Sequence, residues 1–226
     1  MEYLETLDHD ARFFTTGPEI SEDIPNMPLT IYSGHAVAMA PKTSGKQLAT
    51  MRTSFFKKAS WDGFHEHLYT PPDESTATAA VIEGGNVVHI GFELFSGYYE
   101  HAYTAYKYLF RNVLARVYEK PLVRVSGLPS FAQVTIAQRG SLFLLHVTTY
   151  LPELRGKSAQ VIEEPIRVQD VRISLLVSNG PWKAYLAPGG EALTVEQDND
   201  YLAIEIPVIA GYQLVVVEPA PQLAEG

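Results

Sequence analysis

The second half of the chain alternates apolar and polar residues, and this pattern constrains the fold more than any other feature of the sequence. Apolar side chains occupy every second position in two segments, Val171–Val177 and Leu202–Val208. Such a period turns one face of a strand toward a core and the other toward water. With the Gly, Pro, Asn and Asp turns between such segments, it predicts an antiparallel β-sandwich over residues 121–219 and a frayed tail over 220–226.

The individual strands of this sandwich can be placed from the apolar runs. They are Leu122–Ser126, Ala132–Gln138, Ser141–Thr149, Ile166–Val168, Val171–Ser178, Lys183–Ala187, Ala192–Glu196, Tyr201–Val208 and Tyr212–Glu218. The carboxylates Asp198 and Asp200 flank Asn199 in one of the turns, where Asp and Asn suit the backbone geometry. The adjacent pair Glu163 and Glu164 precedes Pro165, and we expect it to be solvated.

Residues 1–120 combine several short strands with one strong helical pattern, from Gly97 to Tyr118. The first 28 residues are predicted to be irregular, with a short helix near Glu2–Arg12. A single helix is too little for a complete doubly wound α/β domain. The segment is therefore either a small α+β domain or part of a larger one, and Lys120-Pro121 marks the boundary. The predicted strands are Leu29–Tyr32, Ala36–Ala40, Leu48–Phe55, Ala79–Ile82 and Val87–Phe92.

Composition excludes several classes of function. The chain has 226 residues, a formal net charge of −9 and no cysteine. The acidic balance argues against a nucleic-acid partner or an anionic membrane surface. Without cysteine there is no disulfide scaffold, thiolate nucleophile or Cys-liganded zinc site. The acidic N-terminus lacks the features of a signal peptide, and we expect a cytoplasmic protein without a cofactor.

Several phrases, in order, carry a resemblance to a known family. They are Asp23–Pro28, His65–Pro72, Val88–Ser96, Tyr106–Leu109, Gly127–Ser130, Leu144–Val147, Tyr150–Gly156, Tyr185–Pro188 and Ile206–Gln213. Together they resemble the C-terminal region of multidomain glycoside hydrolases of the β-galactosidase kind, meaning family 42 and related glycosyl hydrolases. The resemblance covers roughly residues 20 to 219.

The resemblance implies a particular domain organisation. In such proteins a catalytic (β/α)8 barrel is followed by a flavodoxin-like, class I glutamine-amidotransferase-like domain that serves trimerisation, and then by a β-sandwich. Residues 1–120 would be a partial amidotransferase-like domain, and 121–219 the C-terminal sandwich. The implied partners are the catalytic barrel of the parent enzyme and further copies of the chain, as a homo-oligomer such as a trimer.

The same resemblance implies that this polypeptide is not itself a catalyst. The retaining chemistry of such hydrolases uses two carboxylates on barrel strands, and the chain has no room for a barrel. The amidotransferase relatives use a cysteine nucleophile, which is absent. The expected function is that of an accessory and assembly region in carbohydrate metabolism.

One loop gathers the side chains best suited to a binding role. It contains Trp61, Asp62, His65, Glu66, His67 and Tyr69. Aromatic and polar groups together suit the apolar face and the hydroxyls of a sugar, or a neighbouring subunit. On an extended segment the two histidines would point the same way, and could bind zinc with a third ligand from His9, His35, His89 or His101. Paired histidines alone are a weak motif, and a loop that hydrogen-bonds its own backbone remains the main alternative.

The predicted helix is rich in aromatic residues. Tyr106 and Phe110 belong to its apolar stripe and are predicted to lie in the core. Tyr99 and Tyr103 lie off that stripe, and tyrosines in such positions favour a protein interface.

Two rival functions remain open. The first is a carbohydrate-binding module, with Trp61, Trp182 and the tyrosines as candidate platforms. The second is an independent hydrolase with a site near His65 and His67. On the sandwich, His146 is expected to be an interior or edge histidine with a hydrogen-bond partner.

Overall fold

The computed structural model describes residues 1–7, 12–32, 34–55, 71–178 and 180–220. The chain divides into two units, Met1–Glu119 and Lys120–Gly226. All the strand pairings described in both units are antiparallel.

Unit 1 is a seven-stranded antiparallel sheet with two helices. In strand order the sheet reads β1-β4-β6-β5-β2-β3, and β7 also pairs with β6. Two short 3-10 helices, Pro18–Ile20 and Glu74–Thr76, lie in the connections. The strands are β1 (Glu2–Thr6), β2 (Arg12–Thr16), β3 (Leu29–Thr30), β4 (Val37–Ala40), β5 (Lys46–Thr53), β6 (Thr78–Gly84) and β7 (Val87–Ile90), and the helices are α1 (Leu94–His101) and α2 (Thr104–Val117).

This topology gives unit 1 an α+β character and does not confirm a flavodoxin-like layer. A flavodoxin-like sheet is parallel, with a helix in each crossover between strands. Here consecutive elements such as β6 and β7 form hairpins, and the two helices follow one another after β7. The short helix predicted near Glu2–Arg12 is wrong: Glu2–Thr6 and Arg12–Thr16 are strands, because ladder pairing with β4 and β5 outweighs local helix propensity.

The core of unit 1 lies between the sheet and α2. Tyr106 and Leu109 of α2 are fully buried, and Tyr106 packs against Phe92 and Phe14 with ring centroids 5.5 and 6.1 Å away. These positions are three residues apart, so they share the helix face that meets the sheet. Asn112, also buried, donates from Nδ2 to the carbonyl oxygen of Ile20 at 3.0 Å and so fixes the same helix to the first 3-10 segment.

The single helix predicted from Gly97 to Tyr118 is two helices. Ala102 adopts a left-handed conformation with φ 49°, and its N–H donates to the carbonyl oxygen of Tyr98 at 2.8 Å, which closes α1. Tyr103 then begins α2 as its N-cap. At Gly97, a Cβ atom would lie 2.1 Å from the carbonyl oxygen of Tyr32. This close approach fixes the position of α1 against the chain before β4.

Unit 2 is an eight-stranded antiparallel sheet that curls so that both halves face one core. The order is β8-β13-β16-β15-β14-β17-β10-β9, and β15 pairs with β14 on one side and β16 on the other. A separate two-stranded sheet is formed by β11 and β12. The strands are β8 (Val123–Ser126), β9 (Gln133–Arg139), β10 (Leu142–Thr148), β11 (Glu153–Arg155), β12 (Ala159–Val161), β13 (Arg167–Leu176), β14 (Trp182–Ala187), β15 (Glu191–Asp198), β16 (Tyr201–Ala210) and β17 (Tyr212–Pro219).

The sandwich core follows the period-two pattern of the sequence as far as Ile206. The inward placement predicted for Val208 is wrong, because Val208 is 38% exposed and Ile209 is buried in its place. Val171, Ile173 and Leu175 of β13 are fully buried, as are Ile204 of β16 and Val215 of β17. The β-sandwich character predicted for this region is thus present in the curled sheet. The two strands predicted at Ile166–Val168 and Val171–Ser178 are one strand, β13, in which Asp170 adopts φ 54° without ending the ladder.

Within the part of the chain that the structure describes, no helix combines the length and apolar character needed to cross a membrane.

Candidate functional site

The loop singled out from the sequence lies outside the described residues. The binding role of this loop therefore stays a prediction for all six of its candidate residues, which are Trp61, Asp62, His65, Glu66, His67 and Tyr69. The described residues on either side of it are held together at the end of β5. The N–H of Phe55 donates to the carbonyl oxygen of Pro71 at 2.9 Å. The backbone N–H of Asp73 donates to the carbonyl oxygen of Thr53, also at 2.9 Å. The described residues that flank the segment therefore lie together at one end of the unit 1 sheet.

Metal binding gains no support from the described residues. Among them, no group of three or more His, Cys, Asp and Glu side chains is arranged to hold an ion. His101 instead packs against Tyr32, with ring centroids 4.9 Å apart and the ring planes tilted by 38°. His9 lies outside the described residues.

The two tyrosines predicted as interface residues have different environments. Tyr99 is 91% exposed on α1, as an interface residue should be in the free chain. Tyr103 is half-buried and packs edge-to-face on Tyr32 and Tyr106, with centroids 5.1 and 5.2 Å away. Burial raises the pKa of the Tyr103 hydroxyl. Tyr103 thus supports the start of α2, and Tyr99 remains the stronger interface candidate.

Tyr106 ties this aromatic cluster to the backbone. Its hydroxyl oxygen accepts a hydrogen bond from the N–H of Tyr32 at 2.6 Å. Burial raises the pKa of Tyr106 far above its ordinary value, so the hydroxyl stays protonated at physiological pH. The group therefore has a structural role rather than an acid–base role.

Among the described residues of unit 1, β7, α1 and α2 form an apolar groove of about 680 Å³, which we name the α1–α2 groove. Its volume falls within the range of pockets that bind small molecules. Its main apolar walls are Val87, Ile90, Phe95, Phe110, Leu114 and Val117.

Side chains of the α1–α2 groove are exposed to an extent that is unusual for their type. Phe95 is 66% exposed and Phe110 is 40% exposed, although the two rings contact each other edge-to-face at 5.0 Å. The sequence-based placement of Phe110 in the core is wrong, because α2 turns only its Tyr106 and Leu109 face to the sheet. The α1–α2 groove is therefore a candidate interaction surface.

A second concavity of unit 1, about 540 Å³, lies on the other side of α2. Its charged side chains form ion pairs. Arg111 pairs with Asp23 at 2.9 Å, and Arg116 binds Glu83 through two nitrogens at 2.9 and 2.8 Å. These contacts join α2 to the first loop and to β6. The ion pairs of Arg111 and Arg116 therefore have a structural role.

A small polar pocket of about 210 Å³ lies in unit 2 at the β15–β16 turn. Lys120 pairs with Asp200 at 2.5 Å, and its hydrogen bond lowers the pKa of that carboxyl group. The guanidinium carbon Cζ of Arg124 lies 4.1 Å from the centroid of the Tyr201 ring. Asn199 adopts φ 53°, so the Asp-Asn-Asp segment forms the turn that its composition predicts.

Trp182 does not present an open platform for a sugar ring. It is half-buried, packs against Phe143 with centroids 6.1 Å apart, and donates from Nε1 to the carbonyl oxygen of Ser178 at 2.9 Å. His146 has the partner that the sequence analysis expects: its Nδ1 lies 2.7 Å from the hydroxyl of Tyr212.

Comparison with known proteins gives a fold relationship only. No protein-family model matches the chain, and no curated protein sequence matches it. A solved structure, α-L-fucosidase isoenzyme 2 from Paenibacillus thiaminolyticus, is similar with a TM-score of 0.87 at 18% sequence identity. The match covers 97% of this chain and 33% of the fucosidase. This chain therefore has the fold of a region that makes up about a third of that protein.

Proposed function

We propose that this chain is a non-catalytic accessory and assembly region of a carbohydrate-active enzyme. The observation that carries the proposal is the exposed apolar surface of the α1–α2 groove. The shared fold supports the link to carbohydrate-active enzymes, because the similar protein is named as a fucosidase and is three times as long as the matched region. The β-galactosidase-like resemblance of the sequence supports the same class.

The two units would have separate roles in this assembly. Unit 1 would correspond to the trimerisation domain of the β-galactosidase-like enzymes, and unit 2 to their C-terminal sandwich. Because unit 1 is antiparallel, its assembly role rests on the α1–α2 groove rather than on a flavodoxin-like topology. The partners would be a catalytic barrel and other copies of the chain.

The energetics of the groove favour a protein partner. Fully burying one Leu or Phe side chain stabilises a complex by about 1.5–3 kcal/mol. Phe95, Phe110 and Leu114 lie together, so covering them would supply a desolvated centre of the kind that dominates protein interfaces. Tyr99, exposed on α1, would extend the contact.

Sedimentation velocity of the purified chain tests this proposal. We expect the wild-type chain to form a homo-oligomer. The substitution Leu114→Glu should raise its dissociation constant at least tenfold, because it places a charge in the apolar groove. Ala115→Glu is the matched control: it adds the same charge one residue along α2, at the edge of the polar concavity, and should leave the oligomer intact.

The same preparations should show no turnover of aryl fucosides or aryl galactosides above the buffer rate. A monomeric wild-type chain would contradict the assembly role. Turnover at enzymic rates would contradict the non-catalytic role.

A further inference from the structure

We draw no further inference here: the strongest candidate, the outer face of β10, β17 and β14 in unit 2, where Leu144, Val216 and Tyr185 lie side by side on the face opposite the buried core, carries no proposal because nothing in the described part of the chain shows what covers it.

Discussion

At Tyr106 one hydroxyl group joins the middle of unit 1 to a distant part of its chain. The ring lies in the aromatic core, and the hydroxyl accepts the N–H of Tyr32, 74 residues earlier. The three- and four-residue spacing of α2 correctly predicts that Tyr106 is buried. It cannot predict the acceptor role, because sequence periodicity identifies the buried face of a helix and not the backbone group that will meet it.

Replacing Tyr106 with Phe should therefore destabilise unit 1 through one lost acceptor. The backbone N–H of Tyr32 would be left without this partner, which costs about 1–3 kcal/mol. Urea unfolding followed by circular dichroism measures the change. Tyr99→Phe removes the same atom from a side chain that is 91% exposed, and should change stability by less than about 0.5 kcal/mol. Equal effects of the two substitutions would show that the Tyr32 hydrogen bond is not important.

Among the elements, strands of unit 2 are predicted well and helices of unit 1 less well. The alternation predicts β13 and its buried face, and it predicts β16 as far as Ile206. It fails at the end of β16, where Val208 is 38% exposed and Ile209 is fully buried. The break between α1 and α2 has no such signal, since Ala102 is a good helix former placed in a left-handed conformation. Packing of Tyr103 on Tyr32 and Tyr106 accompanies that break, and these are contacts between distant segments.

The helix α2 is also fixed to β6 by a salt bridge that gives unit 1 a dependence on pH. The hydrogen bond from Arg116 lowers the pKa of Glu83 below its ordinary value of 4.5. A carboxyl group with a lowered pKa stabilises the fold above its unfolded pKa, and this contribution is lost as the pH falls through the folded value. The bridge thus acts at neutral pH and fails in acid.

We expect Glu83→Gln to lower the thermal midpoint at pH 7 by about 2 °C. The effect should be smaller at pH 3, which lies below the ordinary pKa of 4.5 of the carboxyl group in the unfolded chain, so that part of the contribution is lost. Differential scanning calorimetry at the two pH values gives the comparison. Glu164→Gln, at an exposed loop carboxylate, is the control and should have no effect at either pH. A loss that is the same at pH 3 and pH 7 would contradict the electrostatic origin.

For the whole molecule, the buried clusters are segregated by unit. The main cluster of unit 1 runs from Leu7 to Val113, and that of unit 2 from Leu145 to Val217. The sequence predicts the sandwich, but it does not predict the curled sheet, because the double pairing of β15 depends on contacts that alternation does not specify. The candidate surfaces were predicted less well: Tyr99 is exposed but its interface role stays a prediction, and the α1–α2 groove has no sequence motif.

Because each unit has its own core, unit 2 should fold alone. A fragment of residues 120–226 is expected to show a β-type circular dichroism spectrum and one cooperative thermal transition. The variant Ile204→Asp, which places a charge in the fully buried core, should abolish both. A wild-type fragment without a transition would mean that unit 2 depends on unit 1.

The position of β17 in the curled sheet has a mechanical consequence. This last strand lies between β14 and β10, whereas β8, the first strand of unit 2, is an edge strand paired with β13 alone. A force applied near Lys120 would unzip β8 one pair at a time. A force applied beyond Pro219 must break two ladders together, so the C-terminal end of the sandwich is the firmer point of attachment under load.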